Sequence, residues 1–183
     1  WYSYIGACPP TDPYLYLFGG YQPNAGNSSG DAYRVTRRYD PANNVYQTMA
    51  DLPVGCYLNS GGYYSLNGVG YLFSFGNGYY GNGAIYRMDI AANSWQQVGN
   101  LTGTRYGTMA ALLGTKFFIA GGYYNGYSNA CDEFDPTNNQ TSARANMPGP
   151  SYMGCMAAVT GIDKAYVVGG YNNGYVNTNY EFT

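Results

Sequence analysis

The 183-residue chain contains no histidine. That absence removes Ser-His and Cys-His catalytic pairs, histidine-ligated zinc, copper and iron sites, and the usual proton shuttle near neutral pH. Charge is scarce too: Lys and Arg number 8, Asp and Glu 10, for a net charge of -2. A basic stripe for nucleic acid is therefore missing, as is an acidic tail. No apolar run reaches the roughly 18 residues that a membrane-spanning helix needs, so no membrane insertion is expected. The four cysteines, Cys8, Cys56, Cys131 and Cys155, include no CxxC pair, which argues against a four-cysteine metal site. Asp132-Glu133 is the one adjacent acidic pair, and neighbouring strand residues point to opposite faces, so the two do not converge as an acid and a base. The expectation is a non-enzyme with no catalytic residue, no metal and no cofactor.

What the chain has in abundance is Tyr, 24 residues, and Gly, 27. With few charges, Asn, Ser, Thr, Gln, Tyr hydroxyls and glycans must solvate the surface. Three N-x-[ST] sequons stand at Asn27, Asn100 and Asn139. Together with the even cysteine count they predict an extracellular or cell-surface glycoprotein with two disulfides. The chain opens on Trp1 without an initiator Met or a signal-peptide pattern and reads as a processed or truncated chain.

A repeat organises the whole length. Thr115-Lys116-Phe117-Phe118-Ile119-Ala120-Gly121-Gly122-Tyr123-Tyr124 is a short apolar run that ends in a glycine pair and a Tyr-rich loop. Equivalent stretches put the second glycine at 20, 76, 122 and 170, intervals of 56, 46 and 48 residues. Thirteen residues separate Phe75 from Met88, Gly121 from Phe134 and Gly169 from Phe182, whereas Gly19 to Tyr39 takes 20. The excess lies in the loop from Gln22 to Asp31, which carries the Asn27 sequon. A third spacing follows in Tyr39-Asp40-Pro41-Ala42-Asn43-Asn44, Met88-Asp89-Ile90-Ala91-Ala92-Asn93 and Phe134-Asp135-Pro136-Thr137-Asn138-Asn139. Asp and Pro open a tight turn there and Asn takes its left-handed corner.

These residues resemble the kelch repeat, a strand ending in Gly-Gly followed by Tyr-Asp-Pro-x-x-Asn-x-Trp. Phe75-Gly76 stands in for the pair in the second copy, and the terminal Trp survives only at Trp95. The resemblance implies an all-β fold, a kelch-like β-propeller whose blades are four short antiparallel strands. The blades fall at about 4–50, 57–99, 106–146 and 152–183 of a single propeller domain or segment. In the third copy the strands are expected near Tyr106 to Leu113, Lys116 to Gly121, Ala130 to Asp135 and Gln140 to Ala145. Counting from a first strand near Tyr4 to Pro9 gives 15 strands, with the outer strand of blade four missing. A closed four-bladed ring, part of a larger propeller, and completion by a second chain all satisfy that count.

Up-and-down topology puts the loop after each glycine pair on the same face as the segments joining the blades. Candidate ligand or partner contacts there are Tyr21, Asn24, Tyr79, Tyr80, Arg105, Tyr106, Tyr123, Tyr124, Tyr127, Tyr152, Tyr171, Asn172 and Tyr175. Rigid aromatic rings among Asn and Gly are what binding loops use for sugars and protein surfaces. Arg105, the one cation among them, sits where kelch receptors often place a basic contact. In the implied propeller the cysteines fall in adjacent blades near one level, which favours Cys8 with Cys56 and Cys131 with Cys155 among three connectivities. Asp40, Asp89 and Asp135 occupy one turn position and read as structural. The copper oxidases that contain kelch repeats need histidine ligands, absent here. The expected function is a secreted, non-catalytic binding or structural module with a protein or glycan partner, or copies of itself. The alternatives are the non-catalytic propeller region of a larger secreted carbohydrate-active enzyme and an intracellular kelch adaptor.

Overall fold

In a computed structural model, residues 5–20, 34–77, 82–159 and 161–183 are described. They form four antiparallel sheets, each ordered as in the sequence. Blade one holds β1 (Ile5–Ala7), β2 (Leu15–Phe18), β3 (Thr36–Asp40) and β4 (Val45–Met49). Blade two holds β5 (Ser60–Leu66), β6 (Val69–Phe75), β7 (Ala84–Asp89) and β8 (Ser94–Asn100). Blade three holds β9 (Met109–Leu113), β10 (Lys116–Ala120), β11 (Cys131–Asp135) and β12 (Gln140–Arg144). Among the described residues blade four has three strands, β13 (Cys155–Val159), β14 (Lys164–Val168) and β15 (Asn179–Phe182), and none takes the expected outer position beside β15.

Local chemistry sets the hairpins between third and fourth strands. Asn44, Asn93 and Asn139 all adopt positive φ, at 53°, 51° and 61°, the left-handed corner that Asn tolerates better than other side chains. The preceding aspartates cap the same turns. Asp40 Oδ1 accepts from the Ala42 and Asn43 amides, Asp89 Oδ1 from the Ala92 amide, and Asp135 Oδ1 from the Thr137 amide and hydroxyl. Hydrogen bonding from the Asn43 side chain holds the Asp40 carboxyl below its usual range, and the Thr137 hydroxyl does the same for Asp135.

The glycine pair has its own backbone signature: about +65° to +69° at Gly19, Gly121 and Gly169, then 104° to 113° at Gly20, Gly122 and Gly170. Gly76 has φ 68° and therefore occupies the first place of the pair, not the second. Register agrees, because Leu72 faces Met88 as Phe117 faces Phe134, four residues before the glycine in both blades. The second copy is thus Gly76-Asn77, a one-residue correction to the Phe75-Gly76 frame. Asn77 is fully buried and donates to the Ser74 and Ala84 carbonyl oxygens.

Blades pack through matching rows. In each blade the residue before the first glycine has cross-strand neighbours on the innermost and third strands: Ile5–Phe18–Thr36, Ser60–Phe75–Ile85, Met109–Ala120–Cys131 and Cys155–Val168–Asn179. The first three rows face the following blade. Phe18 meets Trp95 of blade two at 5.3 Å, Phe75 meets Phe117 of blade three at 5.0 Å, and Met109, Ala120 and Cys131 cluster with Val167 of blade four. Trp95 adds a polar tie, its Nε1 donating to Thr36 Oγ1 and Ala50 O of blade one. The innermost strands pack in succession, β1 on β5, β5 on β9, β9 on β13. Among the described residues no comparable packing joins β13 to β1.

Candidate binding face

Among the described residues, the loops after the glycine pairs of blades three and four lie on the same face as the links that enter those blades. In blades three and four each link is tied to its loop by a two-way backbone bridge, Tyr106 with Tyr123 and Tyr152 with Tyr171. Tyr123 and Tyr171 in turn bridge to Tyr127 and Tyr175. The same four-residue spacing in both loops makes the two blades local copies of each other.

Their side chains form one continuous stack of tilted and edge-on rings. Centroids lie 5.8 Å apart for Tyr106 and Tyr123, 5.7 Å for Tyr106 and Tyr152, 5.1 Å for Tyr123 and Tyr127, 5.8 Å for Tyr127 and Tyr171, and 5.7 Å for Tyr171 and Tyr175. Such geometry sets the positive edge of one ring against the negative face of another, worth about 0.5–1.5 kcal/mol per pair beyond area burial. Tyr152 crosses the blade boundary because Gly107, at φ 65°, leaves it room; a Cβ there would lie 2.0 Å from the Tyr152 ring. Five of the six rings are half-buried, whereas Tyr175 is 96% exposed, and the adjoining Tyr124 is 47% exposed. Asn172 is half-buried, its amide donating to Gly174 O. Tyr21, Asn24, Tyr79 and Tyr80 lie outside the described residues, as does Asn27.

Arg105 is not part of this exposed set. It is 3% exposed, with Nη2 donating to Asp132 Oδ2 at 2.7 Å and Nη1 to Gly103 O at 3.2 Å. The Thr102 amide and hydroxyl complete the carboxylate's partners. The guanidinium thus fastens the link between blades two and three to β11 and does not reach into the loop face. Asp132 and Glu133 diverge as expected. Glu133 instead binds Lys116 Nζ and Arg144 Nη2, each at 2.6 Å. Burial pulls the Glu133 carboxyl upward, but those two cations outweigh it and hold it below its usual range.

The expected disulfides are not formed: all four cysteines are free. Cys8 follows β1 at its end remote from the glycine pair, whereas Cys56 packs beside Gly19, its Cβ 3.2 Å from where a Gly19 Cβ would lie. Opposite ends of a blade cannot be bridged. Cys131 faces Val167, while Cys155 lies beside Val168 on the reverse side of blade four. Burial pushes the Cys56 thiol up to about 12 and the Cys131 thiol to about 11. Of the sequons, Asn100 is exposed at the end of β8, and Asn139 is the half-buried turn residue described above.

One feature had no signal in the sequence. An open cavity of about 520 Å³ lies among the innermost strands of blades one to three, lined by Gly6, Ala7, Cys8, Pro10, Gly62, Tyr63, Tyr64, Ser65 and Leu112. These residues are scattered in sequence, and only the convergence of strands collects them.

Comparison with known proteins agrees with this architecture. Kelch-like protein 25 of Xenopus tropicalis is 29% identical over 137 residues, 73% of this chain and 22% of that protein. Kelch-like protein 25 of Homo sapiens is 29% identical over 68 residues, 36% of this chain and 11% of that protein. The solved structure of YjhT superposes with a TM-score of 0.70 at 17% identity, covering 92% of this chain and 58% of that one. The chain is a β-propeller whose repeats are similar to the kelch repeat. No family model matches it. The chain spans about a fifth of the length of the Xenopus tropicalis relative it matches.

Proposed function

We propose that this kelch propeller is a non-catalytic module that binds a protein or glycan surface through the tyrosine face of blades three and four. The observation that carries the reading is the continuous ring stack from Tyr106 to Tyr171, bordered by the half-exposed Tyr124. Stacked rings are held rigid before a partner arrives, so little side-chain entropy is lost on contact, and their faces and hydroxyls suit both sugar rings and polypeptide. Asp132 and Glu133, near the start of β11, are committed to ion pairs, which supports a binding role over a catalytic one. We place the module outside the cell, a reading supported by the charge-poor surface and by the exposed Asn100 sequon.

The test is a glycan and displayed-peptide screen repeated with Tyr124→Ala and Tyr46→Ala. Tyr46 is 59% exposed on the outer strand of blade one, away from the stack. A partner of the tyrosine face loses at least about 30-fold in affinity with Tyr124→Ala, as for a central contact worth about 2 kcal/mol, and keeps its affinity with Tyr46→Ala. Equal binding by both variants would refute the assignment.

A further inference from the structure

Two loops on the tyrosine face are copies of one another in sequence and in backbone. Residues 123–129 and 171–177 both read Tyr-x-Asn-Gly-Tyr-x-Asn. The Tyr124 amide donates to Gly126 O as the Asn172 amide donates to Gly174 O, and the Ser128 and Val176 amides close the loops onto Gly122 O and Gly170 O. Asn125 and Asn173 stand at the same corner, each with φ 53° and each exposed. A Cβ at Gly126 or Gly174 would meet nothing within 4 Å, so both corners open onto solvent.

The loops and links around these corners carry no exposed charge. Within residues 103–108, 121–129, 149–153 and 169–178 the one charged side chain is Arg105, which is buried against Asp132. What they offer a ligand is tyrosine rings and amides. An Asn side chain donates and accepts at the same time, as a sugar hydroxyl does, and a tyrosine ring covers the C–H face of a pyranose. A protein partner of ordinary composition brings about one charged residue in four, and this face gives those charges no complement. The two loops touch through Tyr127 and Tyr171 at 5.8 Å, so one extended ligand lies across both.

We infer that the tyrosine face takes a neutral, linear oligosaccharide whose successive units are met by the Asn125 and Asn173 corners. The inference rests on the tyrosine face being a binding surface, and it selects glycan over protein as the partner. A repeated loop gains from a repeated ligand through linkage. Once one unit is held, the next is presented to the second corner at high local concentration, and affinity climbs with chain length without any new kind of contact. With no ion pair in the contact, that affinity is nearly independent of salt.

The test titrates the 183-residue protein calorimetrically with cello-, xylo- and β-galacto-oligosaccharides of two and six units. In at least one series six units should bind at least about tenfold tighter than two, with less than about a twofold change between low and high salt. Asn125→Gly and Asn173→Gly each remove an amide and keep the corner, because glycine adopts positive φ freely, and Tm should fall by no more than about 4 °C. Each variant should lose the advantage of six units over two, while its two-unit affinity drops less than about threefold because one corner remains. Equal affinity for two and six units overturns the inference, as does a steep dependence on salt or a length advantage that survives both substitutions. If no oligosaccharide binds while displayed peptides bind and depend on Tyr124, the inference falls and the proposed binding face stands. If ligands of neither kind depend on Tyr124, both fall.

Discussion

Replacing Arg105 separates an architectural guanidinium from a ligand contact. Both partners of its ion pair are out of water, at 3% and 0% exposure, and the N–O distance is 2.7 Å. Arg105→Ala deletes the bond to Gly103 O and leaves the Asp132 carboxylate buried with Thr102 as its remaining partner. Removing one member of a buried pair costs about 3–5 kcal/mol, because the other charge stays desolvated. For a domain of this size each kcal/mol lowers Tm by about 2–4 °C, so the expected drop is about 6–20 °C. Urea unfolding followed by tyrosine fluorescence measures it, with a double-mutant cycle as control. Arg105→Met with Asp132→Leu removes both charges and should recover at least half of the loss, a coupling of about 2 kcal/mol. An Arg105→Ala protein as stable as the parent would refute the reasoning and return the guanidinium to the binding face.

The remaining predictions concern burial and packing. At pH 8 two of four thiols, Cys8 and Cys155, react in the native protein, and Cys56 and Cys131 react only on unfolding; prompt titration of all four would contradict their burial. Because the folded Cys56 thiol titrates near 12, its contribution to stability is complete below the unfolded thiol range and is lost as pH rises through that value, which alkaline unfolding curves read. Glu133→Gln should cost about 1–2 kcal/mol, discounted because Lys116 and Arg144 are 39% and 49% exposed. Its carboxyl is held low in the fold, so the parent's advantage over this variant is present above the unfolded carboxylate range and disappears as pH falls through the folded value. Trp95→Phe keeps the ring beside Phe18 but removes both Nε1 bonds to blade one, a loss of about 1–3 kcal/mol by thermal melting.

By itself the sequence determined the hairpin turns and the strand order. Asp40, Asp89 and Asp135 with their paired asparagines are turn formers whatever surrounds them, and each apolar run before the glycines is a short strand, so the blades and their strand order could be counted. The position of the tyrosine loops beside the links followed from strand alternation alone. Only the tertiary structure decided relations between blades. It fixed which side of a strand turns toward the next blade, hence why Cys155 and Cys131 do not meet and why Cys8 and Cys56 lie at opposite ends. It buried Arg105 against Asp132, 27 residues away, a pairing that no spacing rule announces. It also shifted the second glycine pair by one residue, because backbone φ and register, not residue identity, define that place. Side-chain chemistry repeats along a chain, but burial depends on what lies across the interface, and in blade four that difference leaves Val168 exposed where Ala120 is not.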